Sequence, residues 1–124
     1  MGRTQNATED VSADGRDSRP VDVETMRATV RRLLSASAPP EAAELETLTQ
    51  LLRGHIAVLI PEVQAAADAM PEDDIPRYCA LACIGEAHRK VGIDAGPGLP
   101  NQLAHARRLA RVVNALVDHH ESLG

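Results

Sequence analysis

The amino-acid sequence predicts an all-α protein: a small up-down antiparallel bundle of four helices behind a disordered N-terminal leader. Two observations carry this. In the last helical stretch Leu103, Ala106, Ala110, Val113 and Val117 recur at the 3, 4, 3, 4 spacing of one helical face, widened by Leu109 and Leu116. Three earlier stretches repeat the same period, and the connections between them are short enough to make sequential helices antiparallel neighbours. The expected spans are 22–37, 41–70, 74–91 and 101–122.

Residues 1–20 are mainly Asp, Arg, Ser, Thr and Gly with scattered Val and Ala. They offer too little apolar surface to offset the entropy of ordering, so they read as a disordered leader to one domain over 21–124. Asp22 is placed to cap the first helix, whose stripe is Val23, Met26, Val30, Leu33 and Leu34. Pro39 and Pro40 end the connection, and Pro40, Glu41 and Glu44 suit the first turn of the second helix. That helix carries the longest stripe, Leu45, Leu48, Leu52, Ile56, Leu59, Val63, Ala66 and Met70, in phase across Pro61. One helix kinked near Pro61 is therefore expected, with the hydrogen bond to the Ala57 carbonyl lost.

The third helix starts near Asp74, tolerates Pro76 in its first turn and stops before Gly92. Ile75, Tyr78, Cys79, Leu81, Ala82, Cys83 and Ile84 make it apolar nearly all round, which predicts the most buried helix of the set. Gly85 inside it costs ~1 kcal/mol against Ala, and a close helix crossing is the expected compensation. The loop 92–100 is rich in Gly and Pro, and Leu99 or Asn101 caps the last helix. On that helix Ala104, Val112 and Ala115 fall opposite the main stripe, a second apolar face suited to a weak homodimer or partner contact.

Composition narrows the function classes. The chain is 44% hydrophobic yet has no Phe, no Trp and one Tyr, Tyr78, so its core must be aliphatic. Without aromatics, base-stacking modes of nucleic-acid binding are disfavoured. Net charge is −5, and residues 41–76 set eight acids against Arg53, a local balance of −7. That argues against a general DNA-backbone binder. The longest apolar run, Tyr78–Ile84, is far short of the ~18 residues of a membrane span, and the polar N-terminus has no signal-peptide pattern. A cytoplasmic protein is expected, with Cys79 and Cys83 reduced, since a helix cannot join residues four apart by a disulfide without local damage.

Few constellations suggest chemistry. Cys79, Cys83, Glu86 and Lys90 share a sector of the third helix, but His88 lies opposite and no second Cys/His pair stands at metal-finger spacing. Small apolar thiols beside one carboxylate are the simpler reading, and neither metal nor cofactor is expected. Glu86 then needs a cation, and Arg107 or Arg111 of the last helix is the natural choice. His55 falls near the apolar face of the second helix. Arg107, Arg108 and Arg111 lack the short turn-linked helix of a helix-turn-helix. No GxSxG, HExxH or GxGxxG occurs, and no catalytic residue is assigned.

The run Pro76–Lys90, with Ile84–Gly85–Glu86–Ala87, is followed by His105–Ala–Arg–Arg–Leu–Ala–Arg; Leu51–His55 and Leu59–Glu62 precede it. Together these resemble a small actinobacterial family of unknown function whose members are often labelled natural product biosynthesis proteins. The resemblance runs from about Val21 to the end and implies a helical fold; it carries over no catalytic residue. Glu86, Arg107, Arg111 and His55 are the candidate polar cluster. Two functions fit the sequence. One is a non-catalytic accessory or regulatory protein that binds another protein. The other is a small-molecule-binding or tailoring enzyme with a polar pocket around Glu86, Arg107 and His55.

Overall fold

The structure, a computed structural model, describes residues 21–35 and 38–123. The expected disordered leader, 1–20, lies outside the described residues, as does the end of the first expected helix. The described residues form four helices: α1 (Val23–Leu34), α2 (Ala42–Asp68), α3 (Ile75–Val91) and α4 (Leu99–Leu123). Among the described residues there is no strand.

Local chemistry explains most of the boundaries. Asp22 caps α1 by accepting from the Thr25 N–H at 3.1 Å and the Thr25 hydroxyl at 2.7 Å. Asp74 caps α3 in the same way through the Arg77 N–H at 3.1 Å, with Pro76 in the first turn, where no helical N–H is needed. The second helix starts at Ala42, so Pro40 lies outside its first turn and Glu41 is the cap residue without a side-chain bond. It then runs unbroken through Pro61 to Asp68. Between α3 and α4 the chain turns at Gly96 and Gly98, both at positive φ (83° and 90°), a region residues with a Cβ rarely enter.

Cross-helix contacts fix the directions. Arg32 at the end of α1 pairs with Glu44 at the start of α2, and Arg77 at the start of α3 donates to the Ala67 carbonyl near the end of α2. Early in α1, Arg27 reaches Asn114, Asp118 and Glu121 late in α4. Arg107, early in α4, donates to the Leu33 carbonyl at the other end of α1. The bundle is therefore up-down-up-down. Helices α2 and α4 form its central pair; α1 and α3 pack on opposite sides and do not meet.

The hydrophobic core includes no Phe, Trp or Tyr, with Leu33, Leu45, Leu52, Leu59, Leu109 and Leu116 as its largest fully buried side chains and Thr29 and His105 buried beside them. It also corrects three expectations. Helix α3 is not the most buried: it buries only Ala80, Ile84 and Ala87, while Ile75 and Tyr78 are each 74% exposed and Cys79 is exposed. The reason is position, because α3 touches α2 and α4 but not α1. Gly85 faces open space, with nothing within 4 Å of a Cβ built there, so no close crossing compensates it. Val112 is 7% exposed and belongs to the core, because α4 contacts all three other helices and buries more than one stripe.

Candidate functional site

Two clefts open where the helices diverge. The first lies between α3 and α4, about 570 Å³ in volume, and is lined by Cys83, Glu86, Ala87 and Lys90 from one helix and Ala104, Arg107, Arg108, Arg111, Val112 and Ala115 from the other. It thus gathers four cationic side chains and one carboxylate. Spacing alone puts them there. Residues 104, 107, 108, 111, 112 and 115 form one face of α4 at the 3.6 period, and 83, 86, 87 and 90 form the matching face of α3. The small residues Ala87, Ala104 and Ala115 leave the room that the longer side chains border.

The residues proposed from sequence meet in part. Glu86, Arg107 and Arg111 share the groove. His55 does not line it: its Nε2 lies 3.2 Å from the Thr29 hydroxyl, between α1 and α2. Burial pushes the His55 imidazole below its ordinary range, against the pull of Asp22. Glu86 pairs within its own helix, with Arg89 and with Lys90 at 3.4 Å, rather than across to α4. Arg107 is tied to the Leu33 carbonyl at 3.1 Å, and Arg111 is exposed. Ala104 is exposed and Ala115 half-buried, so with buried Val112 they are part of the groove wall rather than a separate apolar face. The Cys83 thiol is pushed up by burial, and by Asp118 nearby, so it stays protonated and a weak nucleophile. Among the described residues no three His, Cys, Asp or Glu side chains converge as metal ligands, and no helix is long and apolar enough to cross a membrane.

The second cleft, about 500 Å³, lies at the start of α2 and α4 beside the loop after α3. Its inner wall holds Arg53 and His105, neither of which sequence reasoning had named as a site residue. His105 is 3% exposed. Its Nε2 lies 3.3 Å from Arg53 Nη2, and its Nδ1 lies 3.2 Å from Arg108 Nη1. Burial, then Arg53 and Arg108, lower its proton affinity, with Asp94 opposing. Two signals could have found it. His105 stands at the 4, 3, 4 spacing with Leu109, Val112 and Leu116, and Arg53 is the one cation among the eight acids of 41–76.

Comparison with curated proteins and with solved structures returns no match. A family model does match, across residues 24–124, all four helices but for the first residue of α1. The chain therefore belongs to a family of unknown function, DUF6415.

Proposed function

We propose that the protein is a non-catalytic accessory module that holds an acidic segment of a partner protein in the groove between α3 and α4. The observation that carries this reading is the convergence there of Lys90, Arg107, Arg108 and Arg111 around a single carboxylate, on a chain whose net charge is −5. A concentrated positive cleft on an acidic protein attracts anions locally while the rest of the surface repels nucleic acid. The groove follows α4 from Ala104 to Ala115, about 16 Å at 1.5 Å per residue, which suits an extended segment better than a compact molecule. Ala104, Val112 and Ala115 give that segment an apolar wall, and the arginines give it a charged rim. Service to a biosynthetic pathway fits the family resemblance and rests on that resemblance alone.

The test is fluorescence anisotropy of a labelled Glu-rich peptide against its Gln-rich counterpart. The Glu-rich peptide is expected to bind, to weaken with added salt, and to lose at least about tenfold in affinity, some 1.4 kcal/mol, with K90E/R111E. Neither side chain is tied into the core, so circular dichroism should show an intact helical fold. Equal binding of the two peptides, or indifference to the charge reversal, would refute the assignment.

A further inference from the structure

The cleft at Arg53 and His105 contains one hydrogen-bond donor too many. An imidazole has two ring nitrogens, and at least one of them carries a proton in the neutral and the cationic form alike. Here both nitrogens face guanidinium N–H groups, Arg53 at 3.3 Å and Arg108 at 3.2 Å. At least one of these contacts therefore sets donor against donor, at a side chain that is 3% exposed. Half-buried Arg53 already donates through Nη1 to the Val91 carbonyl at 3.4 Å, so the donor left without an acceptor is its Nη2–H against the imidazole, and an oxyanion placed beside the two supplies what is missing. Arg108 and His105 are three apart on one helix, so their contact is local, whereas Arg53 reaches His105 across from α2. With Nδ1 accepting from Arg108, Nε2–H and Arg53 become two donors on the wall of the same cleft.

The outer part of the cleft has the opposite charge. Glu46 and Asp94 line it and are both exposed, so acids border the opening while Arg53 is half-buried and His105 buried. Leu45, Ile93 and Ala95 supply apolar wall between them. A simple anion would meet repulsion from those carboxylates, and a simple cation would meet Arg53. We propose that this cleft binds a small zwitterion with an apolar side chain, its carboxylate held by Arg53 and His105 and its ammonium by Glu46 and Asp94. The volume of about 500 Å³ lies within the range of small-ligand pockets. The site shares no lining residue with the basic groove and does not depend on its assignment.

Leucyl-leucine, its N-acetyl derivative and its C-terminal amide separate the two charges. Titration of each into the full chain is followed by the imidazole NMR signals that are missing from the His105→Gln spectrum. Leucyl-leucine is expected to shift those signals and to bind at least about fivefold more tightly than either blocked form. Arg53→Gln should reduce the carboxylate preference to the part His105 supplies, narrowing the gap between the dipeptide and its amide, while Arg53→Lys restores part of it. Asp94→Asn, at an exposed loop position, should narrow the gap between the dipeptide and its N-acetyl form, with Glu46 keeping the remainder, without disturbing the fold. A dipeptide that leaves the His105 signals unmoved up to tens of millimolar, or binding insensitive to both Arg53→Gln and Asp94→Asn, would overturn the assignment.

Discussion

Gly54 and Gly85 stand in the interiors of the second and third helices, and at both a Cβ would meet nothing within 4 Å. Both are exposed. Replacing each by Ala therefore adds no clash and removes the entropic cost of fixing a glycine in a helix, about 0.8–1 kcal/mol per site. The glycines sit on different helices and share no partner, so the effects should add, to about 1.6–2 kcal/mol for G54A/G85A. In a domain of this size 1 kcal/mol moves the melting temperature by roughly 4–8 °C, so the double variant should melt roughly 6–16 °C higher. Thermal unfolding followed by circular dichroism at 222 nm, the usual helix wavelength, measures this directly. Neither glycine lines either cleft, so peptide binding should be unchanged. A neutral or destabilising Gly85→Ala would mean that Gly85 faces a close neighbour, and the open outer face of α3 would be wrong.

Other perturbations address the core and the buried histidine. Leu52→Ala empties a fully buried site in a core with no aromatic side chain to collapse into the void, and should cost about 2–5 kcal/mol in urea unfolding. Val112→Glu should cost about 1–3 kcal/mol of fold stability, because it puts a carboxylate at a core position; a variant as stable as wild type would contradict that burial. His105 prefers its neutral form in the folded state, so its contribution is fully present above its ordinary pKa of 6.5 and is lost as pH falls below that value towards the depressed folded one. Burial, and after it Arg53 and Arg108, favour this direction, Asp94 opposes, and burial lowers His55 in the same sense. The urea midpoint should therefore drop as pH falls below about 6.5, and His105→Gln should flatten the drop. An unchanged slope in that variant would assign the pH dependence elsewhere.

How far the sequence could be read depended on whether a signal was local. The Asp22 cap and the start of α3 near Asp74 are set within three residues, and the α2 stripe from Leu45 to Val63 lies on one face whatever packs on it, so these were legible. The burial of α3 was not, because an all-round apolar composition does not say how many neighbours a helix has. Small residues such as Cys79 and Ala82 can stay outside at little cost, and Tyr78 does so too. Glu86 was assigned a partner on α4, yet Arg89 and Lys90 lie one turn away on its own helix and require no tertiary approach. His105 was missed because a polar residue interrupts an apolar count even when it occupies a core position, and its partner Arg53 is 52 residues away in sequence.

The two clefts follow from the same composition that made the fold readable. Helix α4 packs against α1, α2 and α3, so the long polar side chains beside its buried face, such as Arg107 and Arg108, reach water along the seams between helices. Arg107 leaves beside α1 and the groove, and Arg108 leaves between His105 and the groove. In most bundles aromatic side chains help fill such seams, each burying 150–250 Å². This chain has no Phe or Trp, and its one Tyr points outwards, so Ala, Val and Leu leave the seams partly open. An aliphatic core and a charged central helix together therefore produce clefts lined by arginine at fixed positions. Stability and site draw on one helix, and substitutions at Arg107 or Arg108 should change both, whereas Lys90 and Arg111 border the groove without a core contact and are the residues that can report on binding alone.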